Sequence, residues 1–136
     1  MNKPASLRAA LENALPELRD NPDRLLMFIE QGNLAARPGS LSFSYGYTLS
    51  IVVLDFAGHP DSIMVPVLDW VQVNEPPLMQ NADRLADGLK FEAEILSTSS
   101  WDFRLTIKLT ERVSVQKQDD GSVSLAHLPE PKADWE

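Results

Sequence analysis

The side chains best suited to chemistry in this chain of 136 residues are few and scattered. His59 and His127 are its two imidazoles, and they lie in different segments. His59 stands in the turn Asp55-Phe56-Ala57-Gly58-His59-Pro60-Asp61-Ser62, where Asp55, His59 and Asp61 offer donors that a divalent metal accepts. A simpler assignment covers the same residues. Asp61 or Ser62 caps the helix that follows and Asp55 belongs to the turn, which leaves His59 with no partner that needs a metal. No serine stands in a G-x-S-x-G elbow. Glu92 and Glu94 form a carboxylate pair, but acid–base work needs one of them buried, and strand alternation puts both in water. The six glycines form neither G-x-G-x-x-G nor a Walker A loop, so no phosphate cradle is encoded. Cysteine is absent, which rules out disulfides and thiolate metal sites. These patterns predict no enzymatic activity, no cofactor and no metal.

The elements that must position such residues are easier to read. Leu7, Leu11, Ala14, Leu15 and Leu18 share one side of a helical wheel that starts near Pro4 and is kinked or ended by Pro16. Leu25 to Ile29 is a short apolar run, read as a buried strand, and Gln31 to Ser40, with Gly32, Pro38 and Gly39, reads as a loop. In the long strand that follows, Leu41, Phe43, Tyr45, Tyr47, Leu49, Ile51 and Val53 alternate with Ser42, Ser44, Gly46, Thr48 and Ser50. Gly46 suggests a bulge or bend. Val52, Leu54 and Phe56 make the second face apolar too, and coverage by the chain's own second helix is the favoured explanation.

That helix carries Ile63, Met64, Val67, Leu68, Trp70 and Val71 on one arc, tolerates Pro66 in its first turn, and stops at Glu75-Pro76-Pro77. Residues 78 to 88 read as a polar connection with one short helical turn. Leu89, Phe91, Ala93 and Ile95, then Trp101, Phe103, Leu105, Ile107 and Leu109, alternate with polar residues across a Ser-rich loop, which predicts an antiparallel hairpin with Glu92 and Glu94 in reach of Arg104 or Lys108. A weaker pair, Val113 to Val115 and Val123 to Leu125, flanks Asp119-Asp120-Gly121. Trp70 and Trp101 sit in apolar registers and belong to the core, whereas Trp135, near the C-terminus, is either exposed or docked on a partner.

The order α-β-β-α-β-β predicts an α+β two-layer sandwich: a mainly antiparallel sheet of four or more strands with two helices on one face. The expectation is one domain over residues 1–128 followed by a mobile Pro-rich acidic tail over 129–136. Twenty acidic against twelve basic residues give a net charge of -8, which opposes nucleic-acid and anionic-membrane binding. No apolar run approaches the roughly 20 residues of a bilayer span, and the start is amphipathic, so a soluble, untargeted protein is expected.

The chain carries, in order, Lys3-Pro4-Ala5-Ser6-Leu7-Arg8-Ala9-Ala10-Leu11, Ser40-Leu41-Ser42-Phe43 with Tyr47-Thr48-Leu49, Asp55-Phe56-Ala57-Gly58, Ile63-Met64-Val65-Pro66-Val67-Leu68-Asp69-Trp70, and Leu109-Thr110-Glu111-Arg112. Together these fragments resemble the tail completion protein R family of P2-like contractile-tailed phages. Val65-Pro66-Val67-Leu68 and Leu109-Thr110-Glu111-Arg112 are the most specific, and the tail from about Asp119 matches in composition more than in sequence. The resemblance implies a virion assembly protein that finishes the tail and prepares it for head joining, in the virion and, during assembly, in the host cytoplasm.

By analogy with small α+β terminators of other long-tailed phages, it would form a hexameric ring with itself. That ring would cap the tail tube, and possibly the sheath, at the head-proximal end and would meet head-tail connector proteins. In such a ring the exposed polar positions Arg37, Glu92, Glu94, Arg104 and Lys108 are the interface candidates, with Trp135 as a further docking residue. A non-enzymatic ligand-binding or regulatory α+β domain is the alternative, and it would require a closed apolar pocket.

Overall fold

The structure is a computed structural model that describes residues 1–131. The chain runs through α1 (Lys3–Ala14), α2 (Pro16–Asp20), β1 (Leu25–Ala36), β2 (Phe43–Phe56), α3 (Asp61–Asn74), α4 (Ala82–Gly88), β3 (Leu89–Ser97), β4 (Ser100–Lys117) and β5 (Val123–Leu128). The class is α+β, as the alternation predicts. The antiparallel sheet has the order β1-β2-β4-β3, and β5 pairs β4 beyond the end of β3. Among the described residues no helix is long and apolar enough to cross a membrane.

The core lies between one face of this sheet and the helices. Leu49, Ile51 and Val53 of β2 and Leu105 and Ile107 of β4 are fully buried against Leu7 and Leu11 of α1 and Ile63, Val67 and Val71 of α3. Proline punctuates this layer as expected. Leu15 is extended (φ -123, ψ 96), because a residue before proline is pushed out of the helical region, and Pro16 then opens α2 as its first residue. Leu18 is thereby still delivered to the core. Trp70 is buried and its indole N–H donates to Ser6 Oγ at 3.0 Å, which ties α3 to α1.

Several expectations are corrected by pairing that acts over long sequence distances. Gln31 to Ala36 is strand and not loop, because β2 is long enough to carry β1 past its glycine. The irregularity expected at Gly46 is in β1 instead, between Glu30 and Asn33, where Gln31 has a positive φ of 53. Gly46 faces it, and a Cβ there would sit 2.6 Å from Asn33 Oδ1. A second bulge, with Asp55 at φ 51, rotates Phe56 onto the core face, where it is buried. Val52 and Leu54 stay on the opposite face and half-buried, so the second helix does not cover them.

Residues 100–117 form one continuous strand of 18 residues, not two. Pro60, not Asp61 or Ser62, occupies the N-cap of α3, so Pro66 falls inside the helix and not in its first turn. Residues 76–88 hold a 3-10 turn (Pro76–Met79) and α4, whose cap Asn81 accepts from the amides of Asp83 and Arg84. Replacing Leu105 with Ala should cost about 2–5 kcal/mol in denaturant unfolding, as for other large-to-small changes at fully buried sites. The outward Thr106→Ala should stay within about 0.5 kcal/mol.

Candidate functional site

The bare face of the sheet collects most of the sequence-predicted interface residues. Arg104 projects from β4, and its guanidinium reaches across β2, with Nε donating to Ser50 Oγ at 3.0 Å and an Nη pairing with Glu30 on β1 at 3.3 Å. Glu92 is directly opposite Arg104 in register, yet the guanidinium turns away from it, and Glu94 faces Asp102. Lys108 lies beyond the end of β3 and pairs with Asp87 of α4 at 2.5 Å, which holds the Asp87 carboxyl below its usual range. The cross-strand bridges expected from Glu92 and Glu94 to Arg104 or Lys108 are therefore replaced by bridges to Glu30 and Asp87, and both glutamates stay exposed with no such partner among the described residues. Leu26 and Phe28 of β1 share this outer face with Val52 and are exposed. Arg37 is elsewhere, in the β1–β2 loop beside a cleft lined by Phe43, Arg112 and Leu128. Trp135 lies outside the described residues.

A second, partly buried cluster lies where α1, the end of α3 and β4 meet. Thr110 of β4 sits in the gap between β3 and β5. Its amide donates to Glu75 Oε1 at 2.9 Å and its hydroxyl to Glu75 Oε2 at 3.0 Å. Lys3 Nζ donates to the Thr110 carbonyl at 2.5 Å, pairs with Glu75 at 2.8 Å and pairs with Glu130 at 2.8 Å. One residue on, Glu111 turns inward to accept from the Tyr47 hydroxyl at 2.5 Å and from the Asn2 amide at 2.6 Å. Burial and the adjacent Glu111 carboxylate push the Tyr47 phenol well above its ordinary value. It therefore stays a protonated donor, not a nucleophile. Glu75 and Glu111 are only 3% and 7% exposed.

Sequence reasoning did not single out this cluster. Glu111 was legible, because it interrupts the apolar register of Leu109 and Val113, where a carboxylate has to find a donor. Glu75 left no such signal, since its partner is 35 residues away.

Both clusters are built from ion pairs and hydrogen bonds between strands and helices. Among the described residues every buried side-chain nitrogen and oxygen has a partner, and no group of three or more histidines and carboxylates is placed to hold a metal. His59 is exposed, and its Nδ1 accepts the Asp61 amide at 3.2 Å.

Glu75→Ala should cost about 3–5 kcal/mol by chemical denaturation, the scale for stripping one partner from a buried ion pair. Glu75→Gln should lose less, because it keeps an acceptor for Thr110. A loss under about 1 kcal/mol for the alanine variant would show that water replaces the carboxylate. Stability should also be fully present below about pH 10, the unfolded phenol value, and fall above it, because unfolded Tyr47 ionises while the folded residue holds its proton. Tyr47→Phe should flatten that alkaline fall.

Comparison with known proteins places these clusters in context. Residues 1–131 match the family model described as P2 phage tail completion protein R (GpR). The chain is 40% identical over 132 residues to Tail completion protein R of Escherichia phage P2, an alignment spanning 96% of this chain and 84% of that protein. No solved structure matches the chain. Lys3, Tyr47, Thr110 and Glu111 of the partly buried cluster all come from fragments that carry the resemblance. With a match over nearly its full length, the chain belongs to the P2 phage tail completion protein R family.

Proposed function

We propose that this chain completes the phage tail as a terminator: a ring of six copies that caps the tube, and with it the sheath, at the head-proximal end and offers a surface to head-tail connector proteins. Service in phage tail assembly and completion comes with the family. The ring and its position are the proposal. The observation that carries it is the outer face of the sheet. It is left bare by both helices and carries apolar side chains on β1 and β2 (Leu26, Phe28, Val52) beside charged ones on β4 and β3 (Arg104, Lys108, Glu92, Glu94), with Glu30 on β1. Such a face suits a protein–protein contact with an apolar centre and a polar rim. The net charge of -8 speaks against direct contact with DNA or an anionic membrane, and the work proposed is non-enzymatic and needs no cofactor.

Tail length decides between a terminator and a later adaptor. In lysates of the parent phage lacking this protein, negative-stain microscopy should show overlong tails or tubes. Tails of normal length without heads would make it a joining adaptor, and normal infectious particles would remove the completion role. Complementation with Arg104→Glu should lower infectious titre at least tenfold while circular dichroism shows a folded chain. Undiminished titre with charge reversals at Arg37, Glu92, Glu94, Arg104 and Lys108 would remove these positions from the interface.

A further inference from the structure

Two of the sheet edges that are unpaired among the described residues, β1 and β3, are matched to each other. Thr110 directs its amide and carbonyl away from β2, toward Glu75 and Lys3. In an antiparallel ladder the backbone groups of successive residues point to alternate sides. Following that alternation from Thr110, Arg104 and Thr106 bond β3 through Glu92 and Lys90, so Phe91, Ala93 and Ile95 turn their backbone groups to the open edge. The same alternation through β2 leaves Leu25, Met27 and Ile29 facing out on β1. An independent contact agrees, since the Leu25 carbonyl accepts from the Arg8 guanidinium at 2.5 Å.

Neither edge carries a proline, and β3 is exposed along Lys90–Ser97, with Phe91 at 66% and Ile95 at 68%. Natural sheets guard their edges with proline, charge, bulges or cover; β3 keeps its charges (Lys90, Glu92, Glu94) on the outer face, while its core face (Phe91, Ala93, Ile95) is apolar and exposed. β1 runs without irregularity from Leu25 to the bulge after Glu30, and β3 runs without irregularity from Leu89 to the break after Ile95. These regular stretches are of similar length. Because three antiparallel pairings lead from β1 through β2 and β4 to β3, β1 and β3 run in opposite directions. Copies related by a rotation axis along the strands therefore bring β3 of one against β1 of the next in antiparallel sense, a heterologous contact that closes into a ring.

We infer that copies of this chain join by antiparallel pairing of the β1 edge of one copy with the β3 edge of the next, in the register that sets Met27 against Ala93. That register places Ile29 opposite Phe91, two half-exposed or exposed apolar side chains on the core face of the sheet, and Glu30 opposite Lys90 on the outer face. It ends where Arg8 covers the Leu25 carbonyl and where the β1 bulge begins. Met27 and Ile29 supply about four backbone hydrogen bonds to Ala93 and Phe91. The inference rests on the ring reading and names its surface.

The cysteine-free chain allows a direct test. Phe28 and Glu92 would form a non-hydrogen-bonded cross-copy pair, with Cα atoms about 4.5 Å apart, within disulfide range. Phe28→Cys and Glu92→Cys chains should cross-link as a mixture under mild oxidation but not separately. The double variant should give a ladder ending at one closed species, both free in solution and on tails. Ala93→Pro removes an outward amide from an edge position, so it should leave the melting curve unchanged and abolish the ring. Rings without the 28–92 disulfide would overturn the edge pairing and leave the ring reading intact. Tails that carry the protein without rings or cross-links would overturn both.

Discussion

The fold depends on how β4 is satisfied along its second edge. This strand pairs β2 over most of its length on one side, while β3 and β5 divide the other side end to end. The junction leaves Thr110 with an amide and a carbonyl that no strand reaches. Left unmet, the partly buried amide would cost a fraction of the ~1–3 kcal/mol of a fully buried group. The Glu75 carboxylate and the Lys3 ammonium take the place of a strand there, and each also neutralises the other. Two charges held near a core would be costly alone, but here every strong donor and acceptor at the junction is engaged. α1 and α3 are thereby bolted at their ends to the strand that organises the sheet, and the apolar packing between them inherits its register from that anchor.

How much of this was written in local sequence follows from the range of each interaction. Period-two alternation over Phe43–Val53 and 101–109, and period 3.6 over α1 and α3, foretold those elements because their partners lie in the core whichever strand supplies it. β1 past Glu30 was misread as loop because Gly32, Pro38 and Gly39 are local loop signals, whereas the strand there is sustained by β2. Phe56 broke its expected facing through one inserted residue at Asp55, and a bulge has no reliable mark when the residue is not glycine. At the candidate interface, facing was read correctly for Arg104, Lys108, Glu92 and Glu94. Their partners were not, because a long guanidinium can skip a strand and reach Glu30.

The two faces of the sheet divide the labour. The inner face holds the molecule together through aliphatic packing, except at its two margins, where Ile29, Phe91 and Ile95 stay exposed. The outer face and the strand edges hold much of the unspent recognition capacity: aliphatic side chains without cover, carboxylates without bridges, and backbone groups without a ladder. A phage tail completion protein needs this arrangement, because its task is to be joined to other subunits.

The link between Lys3 and Glu130 spans almost the whole chain. A contact that closes so long a loop stabilises the fold only after the loop-closure entropy has been met, so the tie from α1 to Glu130 belongs to the late steps of folding.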